Sequence, residues 1–337
     1  MIARELVYAA LRHDETARIP YNFMFSPPAE AALCNYLGTD DLQAALDINL
    51  YLFGCWGKPL YAPPERYGES ITDEFGVVWS TSNIDRGYPV RHPLTEPSLS
   101  GYQFPDPWAP ERWARVPEFA YRYPHQFHLA VIGDLWERAH LMRGLGELLL
   151  DLYTAPAFVR DLLDHICEYN LATLEGMARF QPDGVFISDD YGFQNALMMS
   201  PGDWRQFIKP RLARLLAAAS KHDLVTMLHS CGNVSAIVPD LIEIGLDILH
   251  PVQPEAMDVF DLKREYGRDI TFCGGISTQR TLPYGAPADV RAEVNTKAAE
   301  LGKGGGFILE PGITLQADVP LDNLLALIEA ARAYRRG

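Results

Sequence analysis

At 337 residues, 48% hydrophobic and 22% charged, the chain can bury a full-sized core, as one large domain or two ordinary ones. Its formal charge of −15 argues against broad contact with nucleic acid, which needs clustered Lys and Arg. A local pocket for a small substrate of either charge stays open. The five cysteines (Cys34, Cys55, Cys167, Cys231 and Cys273) are odd in number and widely spaced. They point to a reducing compartment and away from a disulfide framework. With no signal-like leader and no apolar run long enough to span a membrane, a soluble cytoplasmic protein is the expectation.

Residues 1–12 place Ile2, Leu6, Ala9 and Ala10 on one side of an amphipathic helix. Residues 19–25 read as a strand, with Pro20 near its start where a missing donor is tolerated. Pro27 and Pro28 open a helix to Leu37, and a further strand within 48–53 is ambiguous. Residues 55–125 are rich in Pro, Gly, Tyr and Trp, with a short hairpin over 70–79. They carry too many aromatics for a disordered spacer. The expectation is a long excursion over one face, acting as a lid, with Trp56, Trp79, Tyr88 and Trp108 either contacting substrate or packing beneath it.

From residue 126 the pattern is regular. Apolar runs of strand length occupy 127–133, 184–189, 224–229, 246–252, 270–274 and 306–309. Helical segments at 145–152, 201–222, 234–244, 258–266, 287–301 and 322–335 follow them. Repeated strand–helix units imply a parallel sheet covered by helices. Without a Gly-rich phosphate-binding first turn, a (β/α)8 TIM barrel is favoured over a doubly wound sheet, as a single domain over 1–337.

Active sites of such barrels lie at the C-terminal ends of the strands, and the residues there are polar throughout. The strongest signal is His229-Ser230-Cys231-Gly232. Alternate residues of a strand share a face, so His229 and Cys231 can converge, and imidazole with thiolate suits zinc. A neutral His beside a buried free Cys is the plainer alternative. Asp189 and Asp190 follow another strand and are either catalytic acids or helix caps. Glu137-Arg138 is either a functional pair or an exposed ion pair. Tyr191, Gln194, His250 and Gln253 complete the ring of strand ends. Cys273 reads first as a small buried apolar residue. Gly274-Gly275 offers backbone N–H groups to an anion, while the glycines at 302–306 lack Walker-A order. Glu310, after the last run, can face His229 and Cys231. One His, one Cys and one Glu would leave the open fourth position of a catalytic zinc.

These stretches together resemble the uroporphyrinogen decarboxylase superfamily. The resemblance is carried by Thr-Asp-Glu-Phe-Gly-Val-Val-Trp at 72–79, Gly-Asp-Leu-Trp-Glu-Arg-Ala at 133–139, Asp-Asp-Tyr-Gly-Phe-Gln at 189–194 and His-Ser-Cys-Gly at 229–232. Phe-Cys-Gly-Gly-Ile-Ser-Thr-Gln at 272–279 and Gln-Ala-Asp-Val-Pro-Leu-Asp-Asn at 316–323 extend it. The superfamily's barrels include decarboxylases of haem biosynthesis and zinc-dependent methyltransferases that act with corrinoid proteins. Two departures set the chain apart from the decarboxylases. The loop after the first strand, Phe23-Met24-Phe25-Ser26-Pro27-Pro28, has no Arg to grip substrate carboxylates, and Ile313 stands where a His is expected. The His-x-Cys pair matches the methyltransferase branch, whose late Cys corresponds here to Gly312-Ile313-Thr314. Either Glu310 then supplies the third ligand, or Cys273 does, or the metal is absent.

The resemblance implies metal-assisted methyl transfer between a thiol and a methylcorrinoid carried by a partner protein, or the reverse reaction on a methoxylated substrate. Zinc would be held by His229, Cys231 and Glu310. Asp189, Asp190 and Glu137 would be catalytic, and Tyr191, Gln194, His250, Gln253 and Trp79 would contact substrate. The competing readings are a metal-free decarboxylation in porphyrin biosynthesis and a barrel that binds a tetrapyrrole or corrinoid without turnover. A homodimer is the default assembly.

Overall fold

The computed structural model describes residues 1–55, 63–82 and 87–336. Among the described residues, ten strands follow in chain order: β1 (Leu50–Gly54), β2 (Ser70–Thr72), β3 (Val78–Ser80), β4 (Pro89–Arg91), β5 (Phe127–Gly133), β6 (Gly184–Ser188), β7 (Val225–His229), β8 (Ile248–Val252), β9 (Thr271–Ile276) and β10 (Phe307–Pro311). Seven of them form one parallel sheet in the order β1-β5-β6-β7-β8-β9-β10, and β2, β3 and β4 form a separate antiparallel sheet. The strands of the parallel sheet are Val-, Ile-, Leu- and Phe-rich because both faces are covered. Helices Pro201–Phe207, Lys209–Lys221, Pro287–Leu301 and Leu321–Ala333 lie in the connections. The expected helices omit the longest one, Pro156–Ala178. Its buried Phe158, Val159, Leu162, Leu163 and Ile166 nevertheless carry the helical repeat.

The sheet closes into a barrel through residues 19–25, which form isolated bridges in place of a continuous strand. Tyr21 pairs with Leu309 and Phe25 with Leu315. The Leu309 N–H donates to the Pro20 carbonyl, and the Asn22 N–H to Leu309. On the other edge, Asn49 receives the segment twice. Its N–H donates to the Tyr21 carbonyl at 3.1 Å, and its Oδ1 accepts from the Tyr21 N–H at 2.8 Å. One fully buried side chain, the acceptor for the Tyr21 N–H, thus stands in for part of a ladder. The ambiguous strand at 48–53 resolves as β1.

The barrel bottom is stoppered by helix Ala3–Leu11. Val7 packs with Leu50, Phe127, Leu129, Phe186, Met227, Ile248 and Ile308 inside the barrel. The buried Asp183 ties the stopper down, accepting from Arg4 Nε at 2.5 Å, Tyr8 Oη at 2.8 Å and the His128 N–H at 2.9 Å. The interior is therefore filled below and available only above, at the C-terminal strand ends.

The hairpin expected at 70–79 is present as β2–β3 (Ile71 opposite Trp79), with β4 added. Trp108 stacks on Trp113 at 5.6 Å, and a Cβ on Gly176 would collide with the Trp113 ring. Trp113 therefore packs on helix Pro156–Ala178, while Trp108 stays 42% exposed beside it. Tyr88 is exposed, and Trp56 lies outside the described residues.

The seam yields a test. Asn49→Ala removes the acceptor for a buried N–H and should lower the unfolding free energy by about 2 kcal/mol. It should also speed amide exchange at Tyr21. Urea unfolding unchanged within about 0.5 kcal/mol would show that the seam is held elsewhere.

Candidate functional site

The register of the parallel strands brings the polar ends level. Ser188 pairs with His229, and His229 with His250, so the two imidazoles sit on adjoining strands facing the same way. Their ring centroids are 4.9 Å apart and their Nδ1 atoms 2.9 Å apart. Phe186 lies 6.1 and 5.8 Å from the two rings, closing the barrel beneath them.

Beyond β7 the chain turns sharply. Gly232 has φ +79, and a Cβ there would meet Gly192 O at 2.4 Å; a Cβ on Gly192 would meet the Asn233 N–H and the Cys231 carbonyl at 2.7 Å. Two loops cross backbone to backbone at the two positions where the chain has no side chain. The Asn233 N–H donates to the Phe193 carbonyl at 2.8 Å, and the Cys231 N–H donates to Asp190 Oδ1 at 2.7 Å. The crossing thus delivers Asp190 and Cys231 to the same point. Cys231 Sγ lies 3.3 Å from His229 Nε2, and Asp190 Oδ1 also lies 3.3 Å from that nitrogen. Asp190, His229 and Cys231 present ligand atoms within 4.8 Å of one another.

A second trio stands behind the first and is wholly buried: His250, Cys273 and Glu310. Cys273 Sγ donates to Glu310 Oε2 at 3.0 Å. Glu310 Oε1 accepts from Asn22 Nδ2 at 2.8 Å, and His250 Nε2 lies 3.5 Å from Glu310 Oε2. The expected ligand set of His229, Cys231 and Glu310 is therefore divided. The structure gives Asp190 to the outer trio and groups Glu310 with His250, which stands between it and His229. Cys273, the alternative ligand, is in the inner trio as well. Sequence spacing put Glu310 at a strand end but carried no information on the intervening imidazole.

The charges follow from burial and neighbours. Burial works against an imidazolium at His229, but the Cys231 sulfur and the Asp190 carboxylate outweigh it and hold its pKa well above the ordinary value. Burial lowers that of His250, opposed by Glu310 and reinforced by His229. Burial alone would raise Glu310, yet His250, the Cys273 thiol and Asn22 bring it below the usual carboxylate range. Burial and the Glu310 charge push Cys273 well above the ordinary thiol value. The inner trio is a neutral imidazole, a thiol and a carboxylate.

The other expected residues fall into place unevenly. Asp189 is buried and accepts from the Trp136 and Glu137 N–H groups at 3.1 and 2.6 Å. It caps helix Trp136–Arg143, so the cap is real but on a neighbouring helix. Burial pushes its pKa up to about 8, against the pull of the Glu137 N–H. Arg138 pairs with Asp73 at 2.9 Å and Asp134 at 3.2 Å, so those two carboxylates hold the guanidinium expected against Glu137. The Trp79 Nε1–H also donates to Asp73, placing Trp79 in the hairpin's anchor. Tyr191 is fully buried against Trp204, at 5.8 Å. Gln253 Oε1 accepts from the Gly232 N–H at 3.1 Å, steadying the Cys231 turn. Gln194 is exposed and donates to the Glu255 carbonyl. Asp190 opens onto a cavity of about 420 Å³ that Glu137, His92, His140 and Met198 also line. His92 and His140 were not anticipated, because neither lies at the end of a barrel strand. Asn22 was missed because its segment pairs with β10 only through bridges. An equal cavity at the opposite barrel end holds the Arg18–Asp47 pair and none of the candidate residues.

The Uroporphyrinogen decarboxylase (URO-D) family profile matches residues 135–334. The chain belongs to the uroporphyrinogen decarboxylase family. All six residues of the two trios fall inside the matched span. Within curated relatives, a "Methylcobamide:CoM methyltransferase MtaA" of Methanosarcina barkeri is 30% identical over 203 residues, 57% of this chain and 57% of its own. A "Uroporphyrinogen decarboxylase" of Actinobacillus succinogenes is 21% identical over 185 residues, 55% of this chain and 51% of its own. The chain spans little more than half the length of the curated relatives it matches. A solved structure, "methyltransferase from Methanosarcina mazei", superposes with a TM-score of 0.74 over 98% of both chains at 20% identity. That likeness shows the shared barrel fold of the family. Among the described residues, no helix is long and apolar enough to cross a membrane.

Two expectations follow for this family member. His229 binds its proton more tightly folded than unfolded. Its stabilising contribution in metal-free protein is complete below its ordinary value of 6.5 and is lost as pH rises through the higher folded value. Urea unfolding in chelator across a pH series should show stability falling on the alkaline side, and His229→Gln should flatten that limb; identical slopes count against it. Asp189→Ala should cost about 2–4 kcal/mol by leaving two buried N–H groups unpaired, whereas Asp190→Ala, which takes the acceptor from one half-buried N–H and one of two partners from the His229 imidazolium, should cost less, about 1 kcal/mol, in the same chelator-treated series.

Proposed function

We propose that this chain is a methyltransferase that moves a methyl group between a corrinoid and a thiol at a zinc ion held by Asp190, His229 and Cys231. One observation carries the reading: the Asp190 oxygen and the Cys231 sulfur each stand 3.3 Å from His229 Nε2, and all three ligand atoms lie within 4.8 Å of one another. Zinc bonds of about 2.0–2.3 Å at tetrahedral angles require ligand–ligand edges of roughly 3.3–3.6 Å, so the trio has the dimensions of a half-built zinc site. Three protein ligands leave a fourth position, and Asp190 borders the cavity from which it is reached. The names of the curated relatives support corrinoid and thiol as the two methyl partners.

When bound, zinc lowers the pKa of a thiol at its open position so that thiolate is present at neutral pH. The remaining work belongs to the chain. Asp190 and Cys231 are held by the glycine crossing and by the Gln253 contact to Gly232, which keeps the turn from relaxing when the metal is absent. Glu137, on the cavity wall with Asp190, is the carboxylate placed to take the proton released by the incoming thiol. A methylcorrinoid carried by a partner protein would have to be presented over the barrel mouth, because the stopper helix closes the other end. A polyacidic tetrapyrrole is poorly served here. Among the described residues lining the cavity there are two carboxylates, Glu137 and Asp190, and no Lys or Arg, so its carboxylates would lack partners.

Elemental analysis of the purified protein should find about one zinc per chain, lost in Asp190→Ala, His229→Ala and Cys231→Ser. Wild type should bleach methylcobalamin in the presence of a thiol, and each of the three variants should do so roughly 10²-fold or more slowly. Wild type free of zinc, or formation of coproporphyrinogen from uroporphyrinogen, would overturn the reading.

A further inference from the structure

We propose that His250 and Glu310 are positioning residues, which select the nitrogen of His229 that faces the metal. The inference rests on the zinc ligands of the reading above and goes beyond it to residues that touch neither metal nor substrate.

The argument is one of proton counting. A neutral imidazole has one N–H and one bare nitrogen. His229 Nε2 faces Cys231 Sγ and Asp190 Oδ1, and it must be bare to ligate a cation. The proton of His229 then sits on Nδ1, which lies 2.9 Å from His250 Nδ1, so His229 donates and His250 accepts. That in turn places the proton of His250 on Nε2. This nitrogen is buried, finds no ordinary hydrogen-bond partner, and faces Glu310 Oε2 at 3.5 Å. A carboxylate oxygen can only accept. The opposite tautomer of His250 would set a bare nitrogen against it and offer a second N–H to His229. Glu310 therefore decides the orientation of the whole row.

Glu310 is itself fixed. Asn22 donates to one oxygen and Cys273 to the other, and its side chain is 2% exposed. The donors come from the closing segment and from β9, so three strands and the barrel seam converge on one buried carboxylate. These occupied lone pairs also speak against the inner trio as a second cation site, although its donor set alone would permit one. Partners of this kind, one layer behind a ligand, orient it and raise its basicity.

The test is zinc affinity, read by chelator competition, together with the visible spectrum of the cobalt(II)-substituted protein. His250→Phe should weaken zinc binding by about 10–100-fold. His250→Asn, whose Oδ1 can stand in for Nδ1 as acceptor, should recover most of the loss. Glu310→Gln must set an amide NH2 against one of its donors; it should weaken binding by about tenfold and shift the cobalt bands. Circular dichroism and thermal unfolding of metal-free protein establish folding; where His250→Phe does not fold, Glu310→Gln and His250→Asn decide on the same readouts. Wild-type zinc affinity and cobalt spectrum in folded His250→Phe and Glu310→Gln would overturn the proposal while leaving the zinc site standing. A second zinc per chain, removed by Cys273→Ala or Glu310→Gln, would overturn it in favour of a metal in the inner trio. Wild type without zinc would overturn this proposal and the methyl-transfer reading together.

Discussion

The lateral register of the parallel strands is the constraint on which the site depends. Parallel partners at the same height point their side chains the same way, so pairing His229 with His250 puts two imidazoles side by side inside the barrel. A slip of one residue between the two strands would turn one of them outward. The register is held by burial on both faces, since β8, β9 and β10 are buried at every position. The closing segment adds to it from the seam, where Asn22 reaches Glu310. Hydrophobic packing and the polar row are thus one structure. Slack in the first would misplace the second.

Above that register, the site is shaped by what is missing from two residues. Gly192 and Gly232 lack the Cβ atoms that would otherwise force the loops after β6 and β7 apart. Their approach sets the Cys231 N–H on Asp190 and makes three chemically different donors converge. The polarity of the site then divides by depth. The outer trio reaches a cavity through Asp190, while the inner one is sealed by Phe186, Asn22 and the strands themselves. Depth has an electrostatic consequence: the same burial that keeps the Cys273 thiol protonated opposes charge at His250, and Glu310 stays ionised only because three groups serve it.

Membership of the family and the barrel fold are consistent with both methyltransferase and decarboxylase relatives, and a barrel hosts many chemistries. The choice between them lies in the side chains at the mouth. Here the cavity wall offers two carboxylates and two imidazoles, with the His229–Cys231 pair beside Asp190, a set suited to holding a cation and ill suited to gripping a polyanion.

Much of this was legible in the residues alone. The alternation of apolar runs with helical periodicity marked six strands to within two residues, because burial on both faces leaves an unbroken apolar signature. His229 and Cys231 stood out because their spacing is that of one strand face. The identity of their companion did not follow. Asp190 and Glu310 both end strands, and only the crossing of two loops and the interposed His250 decided between them. Asp189 and Asp190 are neighbours of the same type, yet one caps a distant helix and the other faces the cavity, a difference that arises from the turn after β6. The barrel's closure by residues 19–25 was written in their apolar pattern, but its reliance on the Asn49 side chain was not. Local sequence determines periodicity and side-chain chemistry; which groups meet is set by register and loop crossings, and those exist only once distant strands have paired.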